Sequence, residues 1–449
     1  MTGSATNKFA YTTVVAVVIA NMIGTGVFTS LGFQLLELRS GFVLLSLWAV
    51  GGLIALCGAM TYAELGAALP RSGGEYNFLS QIFHPGVGFV SGWISATIGF
   101  AAPSALAAMT FAAYMTSVLP QSLDSRIEKI IAVALVVLLT VMHSSSRRQS
   151  GGLQWVFTVL KVAVIVIFCV AALWFVGESQ PMTFLPVSGD ARLITSGAYA
   201  VSLIYVSYAY TGWNAATYLS SELENPQRDL PRILFAGTAV VTILYVALNY
   251  VFLSVASIEA MRGQIEIGFI AAESAFGPAG GRFAGVALAL LLISTVSAMT
   301  LAGPRVLQVI GEDFPTLKFL SRTTRDGLPY FAIRTQSALT IIFILTSGFE
   351  SILVFAGFTL ALNSFVTVLG VFVLRWRQPD LPRPYQTFGY PVTPIVYLIL
   401  MGLTLGYVLY HRPAEGAFGL ALIVSGAIVY GLSARWARDS TEASSNTPG

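Results

Sequence analysis

Long apolar stretches alternate with short polar segments along the whole chain. Each stretch is close to the roughly 20 residues that an α-helix needs to cross a hydrocarbon core of about 30 Å. Twelve such stretches can be counted, at 10–36, 41–67, 86–117, 128–143, 153–176, 194–220, 231–256, 281–310, 331–349, 352–374, 392–410 and 414–433. The pattern predicts twelve transmembrane helices and leaves no room for a separate soluble domain.

The first stretch is interrupted near its middle. Residues 19–30 read IANMIGTGVFTS, with Gly24, Thr25 and Gly26 at a depth where a plain span would carry leucine. A glycine inside a helix costs about 1 kcal/mol relative to alanine, and backbone groups freed by a break find no partners in hydrocarbon. A break here would free carbonyl groups at residues 21–23 and N–H groups at residues 25–27. Such carbonyls suit an ammonium group, and N–H groups at a helix N-terminus suit a carboxylate.

The sixth stretch carries a second interruption, YTGWN at 210–214. Spans one and six are five apart and therefore enter the membrane from opposite sides. Paired interruptions of this kind are typical of transporters built from inverted repeats, which bind their substrate where the helices break. A zwitterion would satisfy the backbone groups of the break in span one. The alternative is a plain kink or a close helix contact through small residues.

Composition supports a membrane protein. Of the 449 residues, 55% are hydrophobic and 10% charged, and the mean hydropathy is +0.76, which is too apolar for a soluble domain. Of the 24 lysines and arginines, 16 fall on one side of the predicted spans and 7 on the other. The positive-inside rule then places both termini in the cytoplasm. Residues 439–449 are small and polar, and a disordered cytoplasmic tail is expected there.

Few residues offer chemistry for a cofactor or a metal. Cys57 and Cys169 lie in different predicted spans, and the three histidines fall at the ends of different spans. No disulfide, metal site or cofactor is expected from this spacing. A membrane-embedded enzyme would need a nucleophile with a base, or clustered His, Asp and Glu at membrane depth. We therefore expect neither an enzyme nor a nucleic-acid-binding protein.

Six segments, in order along the chain, resemble the amino acid, polyamine and organocation transporter superfamily, and within it the L-type amino acid transporter branch. They are IGTGVF in span one, YAELGAALPRSGGEYNFL at 62–79, FTVLK at 157–161, YTGWNAATYLSSELENPQRDLPR at 210–232, AGPRV at 302–306 and LRWRQPDLPRPYQTFGYP at 374–391. The resemblance implies an all-α polytopic protein with a single transporter domain, residues 1–438. Its core would be two inverted five-helix repeats, at about 10–176 and 194–374, with discontinuous helices 1 and 6 and two peripheral helices at about 392–433.

The resemblance also implies a substrate site at the two breaks. The residues of span one that would bind the backbone of the amino acid are Ile23, Gly24, Thr25 and Gly26. In span six, Tyr208 would close over the substrate. The residues that would line the break in span six are Ala209, Thr211 and Asn214. Thr211 stands where many relatives have a second glycine, which narrows the site. The pocket for the substrate side chain is expected at Ala96, Ile98, Gly99, Ala102 and their apolar neighbours.

Lys161 is the basic residue that the pattern places deep inside a span. A lysine there costs at least about 2.5–3.5 kcal/mol unless it is paired or neutral. It resembles the residue that replaces a sodium ion between spans one and eight in sodium-independent relatives. Carbonyls near residues 20 and 21 and the hydroxyls of Ser294 or Ser297 are its expected partners. A lysine satisfied by carbonyls with no role in transport is the alternative.

The resulting expectation is sodium-independent transport of neutral L-α-amino acids by alternating access, as exchange or as proton-linked uptake. A polyamine or cationic amino acid permease is the alternative, but spans one, three, six and ten offer no Asp or Glu at mid-depth. A non-transporting amino acid sensor is a third possibility. The inner ends of spans two and six carry charged residues, which would either pair to form a cytoplasmic gate or act as solvated anchors. These residues are Glu64, Arg71, Glu75, Glu222, Arg228 and Asp229.

Partners are limited to the substrate and membrane lipid. Animal relatives pair with a single-span glycoprotein through a disulfide in the loop after span three. Here that loop, LPQSLDSRIE at 119–128, contains no cysteine, so no disulfide-linked partner is expected. The short loops and tail suggest a self-sufficient carrier of a bacterial inner (plasma) membrane.

Overall fold

The computed structural model describes residues 11–71, 73–119, 124–145, 151–324 and 328–445, which fold into helices and short connections. The helices are α1 (Tyr11–Met22), α2 (Gly26–Gln34), α3 (Gly41–Ala68), α4 (Gly74–Ile82), α5 (Pro85–Ile94), α6 (Ala101–Ser117), α7 (Ser125–Ser145), α8 (Gly151–Phe175), α9 (Asp190–Ile194), α10 (Gly197–Ala209), α11 (Pro226–Val255), α12 (Ile258–Met261), α13 (Ile267–Asp313), α14 (Tyr330–Thr346), α15 (Phe349–Arg377), α16 (Val392–His411) and α17 (Pro413–Ser445). A π-helical turn (Ser95–Gly99) joins α5 to α6, and two 3-10 helices cover Ala215–Glu222 and Pro315–Ser321.

The polytopic helical character is confirmed. Within the described ranges, ten helical stretches are long and apolar enough to cross a membrane. The shorter apolar helices α10 and α14 coincide with the predicted spans six and nine. The full set of twelve spans and the inverted repeat stay predictions. Below, the side of the membrane at which α1 begins is called the N-terminal side.

Two helix boundaries differ from the sequence pattern. Predicted span eight is the second part of α13, which turns sharply at Gly277, where φ is +75°, just before Pro278. The first part of α13 therefore runs in another direction and precedes the span. Predicted span twelve, at 414–433, is longer in the structure, because α17 continues to Ser445. The tail predicted at 439–449 overlaps this helix, and residues 446–449 lie outside the described residues.

Local sequence explains several helix starts. Ser40 and Ser196 precede α3 and α10, and each hydroxyl accepts a hydrogen bond from the backbone N–H three residues later, at 3.3 Å. This is the N-cap arrangement that satisfies an otherwise unpaired N–H group. Pro85 and Pro226 occupy the first turns of α5 and α11, where a missing N–H group costs nothing.

Small residues bring the central helices close together around the two breaks. α3 packs along α11, and a Cβ atom added to Gly52 would lie 2.3 Å from Cγ2 of Thr242. A Cβ atom on the adjacent Gly51 would lie 2.3 Å from Cγ1 of Val206 on α10. Such contacts are the usual way in which membrane helices gain packing energy. They fix α3, α10 and α11 beside α1, with the aromatic side chain of Tyr245 buried between them.

Candidate functional site

The break in span one lies where the glycines predict it. α1 ends at Met22 and α2 begins at Gly26, so the chain leaves the helix over three residues. Thr25 occupies the N-cap position of α2 but makes no capping bond with its side chain. The first N–H groups of a helix have no partner within it. Those of α2 therefore point toward the gap between the two half-helices.

The break in span six lies opposite. α10 ends at Ala209, residues 210–214 form a turn, and the chain continues as a 3-10 helix from Ala215. Gly212 has a φ of +98°, a conformation that favours glycine. The polar, glycine-containing segment at 210–214 predicted this break, but nothing in the sequence predicted the 3-10 helix that follows it. Such a helix is a short and less regular element, typical of functional hinges.

The two breaks touch each other through their glycines. A Cβ atom added to Gly26 would lie 2.6 Å from the Cα atom of Ala209, and one added to Gly212 would lie 2.8 Å from the carbonyl carbon of Asn21. No side chain fits at either contact without movement of the backbone. The glycines therefore allow the four half-spans to cross at one point.

A cavity of about 200 Å³ opens at this crossing. Because one water molecule occupies roughly 10–15 Å³ on this measure, the cavity holds a solute of amino acid size. Of the predicted site residues, those that line it are Gly24, Thr25, Gly26, Tyr208, Ala209, Thr211, Asn214, Lys161 and Ser294. The side chain of Ile23 does not line it, and Ile23 contributes its carbonyl group elsewhere.

The cavity reaches further on the N-terminal side than on the opposite side. Its wall includes three residues that lie between the breaks and the N-terminal side of the membrane: Thr158, Ala298 and Met299. On the opposite side α2 packs against α10, and the ring of Phe33 stacks on that of Phe349 with centroids 5.6 Å apart. The molecule therefore has its cavity closed on the side away from the N-terminus.

Lys161 links span one to α13, as expected, but through other atoms. Its Nζ donates to the carbonyl oxygen of Ile23 at 3.3 Å and to Oγ1 of Thr295 at 3.2 Å. The expected carbonyls at residues 20 and 21 lie one turn earlier, in the cavity wall. The side chain is 8% exposed, so the ammonium group is held inside the protein.

The expected partners Ser294 and Ser297 do not bond to Lys161. The hydroxyl of Ser294 donates to the Leu291 carbonyl at 3.0 Å, and that of Ser297 lies 2.9 Å from Nε2 of His143. Each step along a helix turns the side chain by about 100°. Thr295, one residue from Ser294, therefore points at Lys161, while Ser297 faces α7.

The cavity wall on span three coincides only in part with the residues predicted for the side-chain pocket. Gly99 lines the cavity, together with Ser95, Phe100 and Pro103, whereas Ala96, Ile98 and Ala102 do not and are fully buried. The cause is the π-helical turn, whose hydrogen bonds join residues five apart instead of four. The turn rotates the following residues, so the face read from a regular helix is displaced.

Tyr245 on α11 is a site residue that the sequence did not reveal. Its hydroxyl donates to the carbonyl oxygen of Met22 and lies 3.1 Å from the carbonyl oxygen of Ala209. These are the last residues of α1 and α10, so the single O–H of one side chain lies within reach of a carbonyl group at each break. A tyrosine in an apolar span gives no sequence signal for this role, because most such residues only pack.

Two acidic residues of the predicted gate have different surroundings. Glu64 accepts from Nε and Nη2 of Arg375, both at 2.8 Å, and from the backbone and hydroxyl of Thr387, both at 2.7 Å. It joins α3 to the connection between α15 and α16. Glu75 instead lines the cavity and bonds to Asn214. Sequence reasoning missed its place in the cavity because it lies on α4, a connecting helix outside the predicted spans.

The arrangement suits a small zwitterion. Thr25 and Gly26 at the start of α2 line the cavity beside Ala20, Asn21 and Met22 at the end of α1. N–H groups at a helix start attract a carboxylate, and carbonyl groups at a helix end attract an ammonium group. Residues of spans three, six and ten form further parts of the wall.

Comparisons with known proteins identify the family of the chain. A family model described as amino acid permease matches residues 9–432. The large neutral amino acids transporter small subunit 2 of Oryctolagus cuniculus is 30% identical over 439 aligned residues, covering 94% of this chain and 79% of that protein. The Asc-type amino acid transporter 1 of Mus musculus is 26% identical, covering 94% and 80%. The b(0,+)-type amino acid transporter 1 of Mus musculus is 26% identical, covering 93% and 85%. This chain therefore belongs to the amino acid permease family of the amino acid, polyamine and organocation transporter superfamily.

Proposed function

We propose that the chain is a sodium-independent secondary transporter of neutral L-α-amino acids, working by exchange or by proton-linked uptake. The observation that carries the proposal is the contact of Lys161 with both Ile23 at the break of span one and Thr295 on α13. A fixed ammonium group at this place holds the two elements together without a metal ion. The cavity beside it has the size and the backbone groups that an amino acid needs.

The asymmetry of the cavity supports alternating access. The wall extends on the N-terminal side, while the contact of Gly26 with Ala209 and the stack of Phe33 on Phe349 close the other side. Opening the second side requires these contacts to separate. In the proposed cycle, α2 and α10 part, and the half-spans on the N-terminal side close over the site.

The proposed roles of the site residues follow their positions. Gly24, Thr25 and Gly26 bind the carboxylate, while carbonyl groups at the end of α1 bind the ammonium group. Tyr208 covers the substrate from span six, and Ala209, Thr211 and Asn214 form the wall next to its side chain.

A cationic substrate is the second candidate, because Glu75 brings a carboxyl group to the cavity wall. Three donors already occupy it, from Tyr62, Asn214 and Tyr218. A carboxyl group bonded in this way has little capacity left for an ammonium or guanidinium group of a substrate. The geometry therefore favours neutral side chains.

Competition for uptake tests the choice. Purified protein in liposomes is given labelled alanine together with excess unlabelled leucine, serine or arginine. We expect leucine and serine to compete and arginine to have no effect. Stronger competition by arginine would favour the cationic candidate, and substrate binding without any flux would favour a sensor.

The membrane setting is part of the proposal. The excess of basic residues on the N-terminal side supports cytoplasmic termini in a bacterial plasma membrane. The name of the rabbit relative calls that protein a small subunit. We propose that this chain works without a disulfide-linked partner, because the loop at 119–128 carries no cysteine.

A further inference from the structure

A buried carboxyl group without a basic partner lies at the edge of the cavity. Glu75, near the start of α4, is 3% exposed. Glu64 is equally buried, but Arg375 and Arg383 lie 2.8 and 3.6 Å from its oxygens. Glu75 takes part in no ion pair within the described ranges. The two carboxyl groups therefore have opposite electrostatic surroundings in one region of the protein.

Neutral groups surround Glu75. Oε1 accepts from the hydroxyl of Tyr62 at 3.0 Å and from Nδ2 of Asn214 at 2.7 Å, and Oε2 accepts from the hydroxyl of Tyr218. Hydroxyl and amide groups can donate to a carboxylate or, after rotation, accept from a protonated carboxyl group. The cluster is therefore able to hold both protonation states.

Charged groups on the neighbouring elements are engaged elsewhere. From α15, Arg375 binds Glu64, and Nη1 of Arg377 donates to the carbonyl oxygen of Ile82 at 2.9 Å. α5 carries no titratable side chain, and Arg71 lies exposed in the connection before α4. The other titratable groups that face the cluster are Tyr62 on α3, Tyr218 on the 3-10 helix and Tyr397 on α16.

An isolated charge in such a place is costly. A buried ionised carboxylate without a cation loses several kcal/mol of hydration, and protonation is the usual way to avoid that cost. Burial raises the pKa of the Glu75 carboxyl, and the bonds from Tyr218, Tyr62 and Asn214 oppose this effect. Because its pKa is raised, the Glu75 carboxyl holds its proton to a higher pH in this conformation than it would in water. It loses the proton as the pH rises through the raised pKa.

The cluster connects the carboxyl group to the moving part of the site. Asn214 ends the break in span six and lines the cavity, and Tyr218 lies on the 3-10 helix that follows. α4 packs against α5 and α15, outside the broken spans. Any movement of the half-span after the break therefore removes two of the three partners of Glu75 and admits water.

We propose that Glu75 is a proton-binding site that carries a proton in this conformation and releases it when Asn214 and Tyr218 move away. In this step the O–H bond of the carboxyl group breaks, and the proton passes to a water molecule. The inference rests on the proposed transport function, for which it supplies the site of proton linkage. Lys161 keeps its contacts with Ile23 and Thr295 in this step.

Infrared difference spectroscopy on the purified full-length protein tests the site without any flux. Across a pH titration, the wild type is expected to show a C=O component of a buried protonated carboxyl group that is missing from the spectrum of Glu75→Gln. The matched control is Glu128→Gln, which removes a carboxyl group bonded to Thr116 on the other side of the membrane and should retain the band. Carboxyl bands that are identical in the wild type and Glu75→Gln would overturn the proposal.

The pH profile of transport in liposomes gives the second readout. Glu75→Gln fixes the neutral form, so its uptake should no longer vary with pH on the N-terminal side. Tyr218→Phe removes a donor to the anion and should move the midpoint of the profile to higher pH, which keeps the test available if Glu75→Gln does not fold. A wild-type profile in both variants would refute the proton site while leaving amino acid transport intact. A carboxyl band that is specific to Glu75 in a protein without flux would refute the transport function alone.

Discussion

Gly26 and Ala209 bring the two broken spans into backbone contact, because a Cβ atom on Gly26 would lie 2.6 Å from the Cα atom of Ala209. The contact lies at the start of α2 and the end of α10, on the closed side of the cavity. Two segments far apart in the chain therefore meet at the one point where both have lost their helical bonds. The closed state depends on the absence of a side chain there.

Replacing Gly26 by alanine should weaken this closure. A methyl group must push α2 from α10, and overpacking of this kind typically costs about 1–3 kcal/mol. We expect Gly26→Ala to insert and fold, to unfold at a lower temperature and to transport at least tenfold more slowly. Thermal melting in detergent and liposome uptake measure the two effects. Gly406→Ala on α16 is the control, since a Cβ atom there meets nothing within 4 Å.

Gly24→Ala should separate binding from folding. The nearest atom to an added Cβ is the carbonyl oxygen of Met22 at 3.9 Å, so the methyl group fits without strain. It enters the cavity wall, where the proposed carboxylate site lies. We expect a melting temperature like that of the wild type and at least tenfold weaker binding of labelled substrate. Unchanged affinity would mean that the break is a plain kink.

Lys161→Ala should abolish transport. The substitution leaves the Ile23 carbonyl and the Thr295 hydroxyl without their partner, at a cost of about 1–3 kcal/mol for each buried group. Lys161→Met keeps the length of the side chain without the charge and should also be inactive, which distinguishes loss of the ammonium group from loss of packing. Uptake by either variant at the wild-type rate would show that the lysine is structural only.

Thr211 should limit the size of the substrate side chain. Its hydroxyl donates to the Tyr208 carbonyl at 2.7 Å, and the residue lines the cavity. Thr211→Gly removes the side chain, and one methylene of space in a pocket is worth about 1–3 kcal/mol of discrimination. We expect the ratio of uptake of leucine to that of alanine to rise by about tenfold or more. Thr211→Ser, which retains the hydroxyl bond, should shift the ratio less, and equal ratios in all three proteins would exclude this role.

The sequence predicted the parts of this site that follow from local rules. Glycine near mid-span indicated both breaks, because only a functional or packing need offsets its cost in a helix. Lys161 was recognisable because a buried cation in a span is expensive. Its partner Thr295 was missed by one residue, because the rotation of α13 about its axis is set by packing along its whole length and cannot be read from spacing.

Other parts of the site depend on tertiary packing and gave no signal. The π-helical turn at Ser95–Gly99 has no characteristic residue pattern, so the wall from span three was displaced from its predicted face. Glu75 looked like a solvated charge at a span end, because nothing in the sequence shows that α4 turns its first residues inward. Its burial becomes visible only when Asn214 and Tyr218 are placed beside it.

The central claim is that the two breaks and Lys161 form a site for neutral amino acids that needs no sodium. Counterflow in liposomes tests it most directly: vesicles loaded with unlabelled alanine receive labelled alanine, leucine or serine outside, in buffer with sodium or with choline in its place. The account predicts accumulation of label at the same rate in both buffers, and none with Lys161→Ala. Accumulation that requires sodium, or that proceeds unchanged in Lys161→Ala, would contradict it.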